Sequence, residues 1–494
     1  MRAPPSAVTL KGMDLSRLAQ RFVEIVGADG VVTDPAELRT YECDGLTAHA
    51  ATPGVVVLPT TAAQVAEIVR TCVAHGVPYV ARGSGTGLSG GALPRTDGVL
   101  IVTSKMRRIL EVDIDNRRAV VEPGVVNLAV TRAAAADGYY YAPDPSSQQV
   151  CSIGGNVAEN AGGAHCLKYG FTVNHVLGLQ VVTPDGEIVT LDSHAPGYDL
   201  LGAFVGSEGT LGIATQVTVR LLRAPEAVQT MLAGFESVDA AGACVSAIIA
   251  AGVVPAAVEM MDALAIEAAE AAVACDYPPG AGAVLIVEVD GPSAEVADEL
   301  AEVRRLAQQT GAFAVRVAAD AAERAAIWKG RKSAFAAVGR ISPAYLVQDG
   351  VVPRTALPQV LGDIAALSRE SGIRVANVFH AGDGNLHPLV LYDHAVDGEA
   401  ERAERVSAEI MARCLAHGGS ITGEHGVGVD KSAYMAQMFT DADLDTMQLL
   451  RCAFDPRGLC NPGKVFPTPR LCGEAPGPRT GVHPLVASGQ AELF

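Results

Sequence analysis

Two segments carry the residue types from which a metal-assisted redox site can be built. His380-Ala-Gly-Asp-Gly-Asn-Leu-His387 spaces two histidines seven apart around a Gly-Asp-Gly-Asn run. That run favours a tight hairpin turn, which would fold one imidazole toward the other. Gly423-Glu424-His425-Gly426 follows further along the chain. Two imidazoles and a carboxylate suit Zn²⁺ or Mn²⁺, and three protein ligands leave positions open for a substrate, as in catalytic rather than structural sites. Histidines beside turns also commonly face solvent or bond to backbone, and spacing alone leaves both readings open. Among the chemistries such a trio could serve, alongside metal-assisted hydrolysis, is oxidation of a 2-hydroxy acid. Its carboxylate and hydroxyl oxygens chelate a divalent cation, the cation acidifies the hydroxyl, and a histidine near neutrality takes the proton while hydride leaves Cα. An arginine is the natural grip for the carboxylate, because its planar fork matches two oxygens. Trp328-Lys-Gly-Arg331, read as leading a helix, offers one.

Hydride needs an acceptor, and four glycine-rich segments suggest its cradle. Arg82-Gly83-Ser84-Gly85-Thr86-Gly87 continues to Gly91 after an expected strand. From Gly85 it satisfies G-x-G-x-x-G, but a turn and a strand follow where the dinucleotide motif requires a helix. A nest of backbone N–H groups around a pyrophosphate fits better. Further on come Pro143-Asp144, the run Ser152 to Gly163 with Gly155, Asn156, Asn160 and Gly162, then Tyr169-Gly170, and Gly206 to Ile213 with Glu208 and Gly212. Glycines permit close approach of backbone to a long cofactor, and Asn156 and Asn160 could add amide hydrogen bonds.

The order of these segments resembles the vanillyl-alcohol-oxidase type of FAD-binding domain. Nearly the whole chain is similar to the FAD-linked catalytic subunits of bacterial glycolate oxidases, or glycolate dehydrogenases. The resemblance implies an extended FAD with its pyrophosphate on Gly83 to Gly87 and its isoalloxazine near Pro143, Gly155, Gly162 and Ile213. Thr86 stands where some relatives carry a flavin-linking histidine, so non-covalent FAD is expected. It further implies His380, His387 and Glu424 as metal ligands, His425 as base and Arg331 as carboxylate clamp. Asn461-Pro-Gly-Lys464 resembles the segment that closes over the flavin ring. Dicarboxylate-oxidising relatives carry a lysine at Val347 and a threonine at Phe335; here a second carboxylate would meet an apolar wall. Glycolate is therefore the favoured substrate, with a stand-alone D-lactate dehydrogenase as the alternative. The resemblance also implies partners: a second FAD-binding subunit and an iron–sulfur subunit. A zinc hydrolase on the same trio would leave the glycine loops without a task.

These side chains require a scaffold, and the 494-residue length suffices for several cores. The net charge of −18 and the absence of basic runs argue against nucleic acid. Ten scattered cysteines form no C-x-x-C pair, which excludes the usual iron–sulfur runs and suggests reduced thiols in the cytoplasm. Met1 to Pro5 opens no signal-peptide core, and Gly252 and Pro255 interrupt the longest uncharged stretch. A cytoplasmic protein is expected, peripheral at the inner face of the membrane only through partners. Periodicity predicts a helix over 14–26, a strand at 55–58, a helix capped by Thr61 and ended by Gly76, and strands at 77–81, 99–103, 119–122, 176–182 and 187–191. From about 223, helices alternate with strands at 253–260, 284–289 and 312–317, with a helix over 294–310 and another from Ala321. The expected class is α+β: a two-part FAD-binding domain over 1–225, a cap carrying substrate and metal over 226–430, and a segment 431–494 returning to the flavin. The Pro/Gly-rich last residues read as a wrapping tail.

Overall fold

The computed structural model describes residues 15–466. The readings at Met1 to Pro5 and in the tail from Arg470 to Phe494 lie outside them.

The first part of the cofactor half is built on strand–helix–strand. Val55–Val57 runs into the helix Ala62–His75, whose Thr61 side chain accepts from the Gln64 amide and whose end is closed by Gly76 in the left-handed conformation. The chain returns as Tyr79–Arg82. Both strands lie parallel to Val99–Val102 between them, and Val31–Val32 adds an antiparallel edge. The second part is a five-stranded antiparallel sheet ordered Ile109–Asp113, Arg118–Val121, Ile213–Arg220, Val176–Val182, Ile188–Asp192. Alternation of valine and isoleucine with polar residues turns one face of this sheet inward.

The cap is a nine-stranded antiparallel sheet. Its middle strands, Ala227–Phe235, Ala283–Gly291 and Ala257–Asp262, are almost wholly buried because helices cover both faces. Three sequence expectations shift here. The strand expected at 253–260 begins at Ala257, because Val253 to Pro255, which follow a turn at Ala251–Gly252, are irregular and leave Val254 exposed. Trp328 to Arg331 does not lead a helix but sits in the middle of Ala321–Val338, which starts earlier on the Asp320 cap. Cys452 is disulfide-bonded rather than a thiol, while eight other described cysteines are free.

After the cap, the helix Asp441–Phe454 leads back to the cofactor half, where Tyr79 N donates to Leu459 O and Asn461 N donates to Tyr79 O. No helix among the described residues is long and apolar enough to cross a membrane.

Candidate active site

A cavity of about 780 Å³ runs from the glycine loops of the cofactor half to the cap. The cofactor end is walled by Arg82, Gly83, Ser84, Gly85, Thr86, Gly87, Ser152, Gly155, Asn156, Gly162, Glu208, Gly212 and Ile213. Among the described residues, the amides of Gly85, Thr86 and Gly87 have no acceptor, the signature of a loop built to hold an anion. Gly85 adopts φ +69°, and a Cβ there would collide with the Arg82 guanidinium, which is itself held by the Cys43 and Tyr41 carbonyls at 2.7 and 3.2 Å. Ser152 Oγ accepts from the Ser84 amide at 3.2 Å and so ties the first loop to the second. These features fit the pyrophosphate of an extended dinucleotide.

Six residues expected at the cofactor serve one layer behind it. The Pro143 carbonyl accepts from Asn127 Nδ2, which also bonds Asn156 Oδ1. Asp144 is engaged by His165 at 2.8 Å. Asn160 caps its helix in the left-handed region and accepts from the Val173 amide. Tyr169 donates to Asp290 at 2.7 Å, with Gly170 turning the chain after it at φ +79°. Asn461 is buried and donates to the Gly91 and Glu208 carbonyls. None of the six lines the cavity; the scaffold takes the hydrogen bonds named here, while Asn461 Oδ1 stays without a partner.

The opposite end of the cavity holds the histidines. Val375–His380 pairs back through His380↔Asn385, with Gly384 at φ +81° completing the turn. The turn brings the His380 and His387 rings to 5.2 Å, edge to face. Their Nε2 atoms lie 3.2 and 3.1 Å from the same Glu424 oxygen. His380 Nδ1 meets Glu259 at 2.6 Å and His387 Nδ1 meets the Gln348 carbonyl at 3.3 Å. With each Nδ1 engaged from behind, each Nε2 is directed at the common centre, the outer-shell pattern of histidines that ligate a metal. Burial opposes charge throughout this cluster. It is overridden at Glu424, held well below the usual carboxylate range by His380 and His387, and at His380, raised by Glu259 and Glu424. Donor set, burial and tautomer-fixing partners fit a divalent cation.

His425 stacks on His387 at 4.9 Å with planes 9° apart, and it lines the cavity beside Glu424. Burial pushes its pKa down to about 4, with His387 and Lys431 adding to the effect against Asp349. The ring is therefore neutral at physiological pH, with its nitrogen lone pair available, but it titrates well below the near-neutral range expected from the sequence because it is buried.

The segment bearing Glu424 and His425 has no regular structure, so something else must position it. Asp349, fully buried, accepts from Thr422 Oγ1 at 2.6 Å and from the amides of Gly423, Glu424 and His425 at 3.0, 3.2 and 2.9 Å. It also pairs with buried Lys431 at 2.9 Å. From the cofactor half, Glu208 accepts from the Val427 and Gly428 amides at 2.7 and 2.6 Å. Two carboxylates, one from each half, thus clamp the segment at the seam.

Arg331 is not in the cavity wall. It is buried, its Nη2 is 2.6 Å from Glu259 Oε2, and its guanidinium packs over Phe335, which does line the cavity. Val347 lines it too, so Phe335 and Val347 face the same space.

The sequence reading missed Glu259 and Asp349. A signal existed for Glu259: an acid inside the apolar run Ala257 to Met261 is a buried charge that needs partners. Asp349 ends another apolar strand run but carries no local mark of its partners, which lie more than seventy residues away.

Comparison with known proteins identifies the family. Residues 53–192 match the model of an FAD binding domain, and residues 224–465 match that of the C-terminal domain of FAD linked oxidases. Glycolate oxidase subunit GlcD of Escherichia coli K12 is 52% identical, with 94% of each chain covered. A D-lactate dehydrogenase of Anaerostipes hadrus is 33% identical over 84% of this chain and 90% of its own. In fold, the chain is similar to a 4-ethylphenol oxidase from Gulosibacter chungangensis, with TM-score 0.76, 19% identity, and 92% and 98% of the two chains covered. With both halves matched and the full-length relatives this close, the chain belongs to the family of FAD-linked oxidases.

Proposed function

We propose that the chain is the substrate-oxidising component of a 2-hydroxy-acid dehydrogenase, that glycolate is the favoured substrate and glyoxylate its product, and that the electrons pass to partner chains. The observation that carries the reading is the convergence of His380, His387 and Glu424 beside a neutral His425, with His387, Glu424 and His425 in the wall of the cavity whose other end is the glycine cradle.

Gly83 to Gly87 would hold FAD non-covalently, and His380, His387 and Glu424 would hold the cation, Zn²⁺ or Mn²⁺ by their donor types. When bound, FAD supplies a two-electron acceptor and the metal polarises the substrate oxygens. The side chains do the rest. His425 takes the proton from the substrate hydroxyl onto its ring, and Asp349 and Glu208 keep that ring in place through the backbone. Arg331, buried behind the cavity wall, neutralises Glu259, which in turn holds His380 Nδ1. Phe335 and Val347 offer no partner to a second carboxylate, which disfavours dicarboxylates.

The printed name of the Escherichia coli relative, a subunit of a glycolate oxidase, supports an assembly with other chains. The expected partners are a second FAD-binding subunit and an iron–sulfur subunit, with any membrane contact made through them. The Anaerostipes hadrus relative favours a second reading, a stand-alone D-lactate dehydrogenase. Steady-state rates with glycolate and D-lactate, with and without partner chains, separate the two. Full turnover with D-lactate and an artificial acceptor, and none with glycolate, would replace the first reading with the second.

A further inference from the structure

The cap end of the cavity grades from exposed to buried. Lys332, Ala336, Pro343 and His394 are exposed and line it, Tyr345 and Val347 are half-buried, and His387 lies buried at the bottom. This gradient marks the cap side as an entrance leading to the metal cluster.

An anion entering here approaches a protein of net charge −18. Unless positive charge is placed at the opening, the summed field works against it. The cavity-lining cations are few. Arg82 is committed to two backbone carbonyls at the cofactor end. Arg331 faces away, its charge matched by Glu259. On the helix Ala321–Val338, positions 332, 335 and 336 fall on the cavity face, whereas Arg331 falls with buried Ile327, Ala334 and Val338. Lys332 has no acidic partner among the described residues; its ammonium lies 5.8 Å over the Trp328 ring, a contact that leaves the charge free to attract an anion.

We propose that Lys332 is the capture residue for the substrate carboxylate: an unpaired cation at the cavity mouth that draws a small carboxylate in before the metal trio takes it. The proposal rests on the reading of the chain as a 2-hydroxy-acid oxidase, and it concerns arrival rather than chemistry.

The test is anaerobic stopped-flow reduction of the FAD holoenzyme by glycolate or D-lactate, whichever reduces it, across a range of ionic strength. A unit charge removed at contact range in water lowers the second-order rate constant about fivefold, and charge reversal about thirtyfold. Lys332→Ala and Lys332→Glu are expected to show these losses at low salt, and Lys332→Arg to behave as the parent. The differences collapse near 1 M salt, where the screening length is about 3 Å. The rate at saturating substrate should stay within about twofold of the parent, because the step lost is encounter. Second-order constants that stay the same in all four proteins, or a loss that persists undiminished in high salt, overturn the proposal. If the parent flavin is reduced by no 2-hydroxy acid, the functional reading itself fails; if it is reduced and the variants are indifferent, only the capture role fails.

Discussion

Replacing Asp349 with Asn keeps the shape of the clamp and removes its charge. The Asp349 Oδ2 atom accepts from one hydroxyl, backbone amides of the 423–425 segment and the Lys431 ammonium. Burial raises the pKa of this carboxyl, but Lys431, His425 and His387 more than reverse that, so it is ionised wherever the protein is folded near neutrality. In Asp349→Asn the Lys431 ammonium, 1% exposed, loses its counter-ion. Stranding one member of a buried pair costs about 3–5 kcal/mol. At about 2–4 °C per kcal/mol for a domain of this size, the melting temperature should fall by about 10 °C. Metal retention should fall with it, since Glu424 shares the freed segment. Differential scanning calorimetry and metal analysis of the purified variant measure both. The double variant Asp349→Asn/Lys431→Met removes the stranded charge and should recover part of the loss. A single variant melting within about 2 °C of the parent, or a double variant no more stable than the single, would refute the clamp.

Other outcomes follow from the same geometry. His425→Ala should bind FAD and metal but lose flavin reduction by about 10²-fold or more, the usual scale of general-base removal; anaerobic bleaching reads this directly. Gly85→Ala forces a side chain onto a φ of +69° and into the Arg82 guanidinium, so the purified variant should carry little flavin by its absorbance ratio. The pair Phe335→Thr/Val347→Lys places a hydroxyl and a cation in the cavity wall and should raise the rate with D-2-hydroxyglutarate relative to glycolate. His165 is a stability probe: burial opposes its charge, but Asp144 and Glu288 raise its pKa well above the ordinary value. Its stabilisation is complete below the unfolded pKa of about 6.5 and fades as pH rises through the higher folded value. Urea unfolding at several alkaline pH values should therefore show a steeper decline for the parent than for His165→Gln.

Much of this architecture can be read in the chain because its signals are local. Thr61 and Gly76 bound a helix through a cap and a left-handed turn, and the Val176–Val182 strand shows its own burial pattern. The His380–His387 hairpin is legible because Gly-Asp-Gly-Asn sets the turn that joins its strands. The inner lining of the cradle is legible for the same reason: glycine marks places where nothing but backbone fits. What escapes depends on the partner. Asn160, Tyr169 and Asn461 have the right polarity for a cofactor, but the scaffold takes their hydrogen bonds, which only the packed structure reveals. Arg331 has a chemistry that suggests substrate, yet its helix starts at Asp320 and turns it toward Glu259. Asp349 and Glu259 act at long range in sequence, where neither spacing nor periodicity carries information.

The most direct measurement is anaerobic titration of the metal-loaded, yellow protein with glycolate, D-lactate, L-lactate and D-2-hydroxyglutarate, following the loss of flavin absorbance. The account predicts rapid bleaching by glycolate or D-lactate, little by the other two, and none in His425→Ala. Bleaching led by L-lactate, or undiminished in His425→Ala, would contradict it.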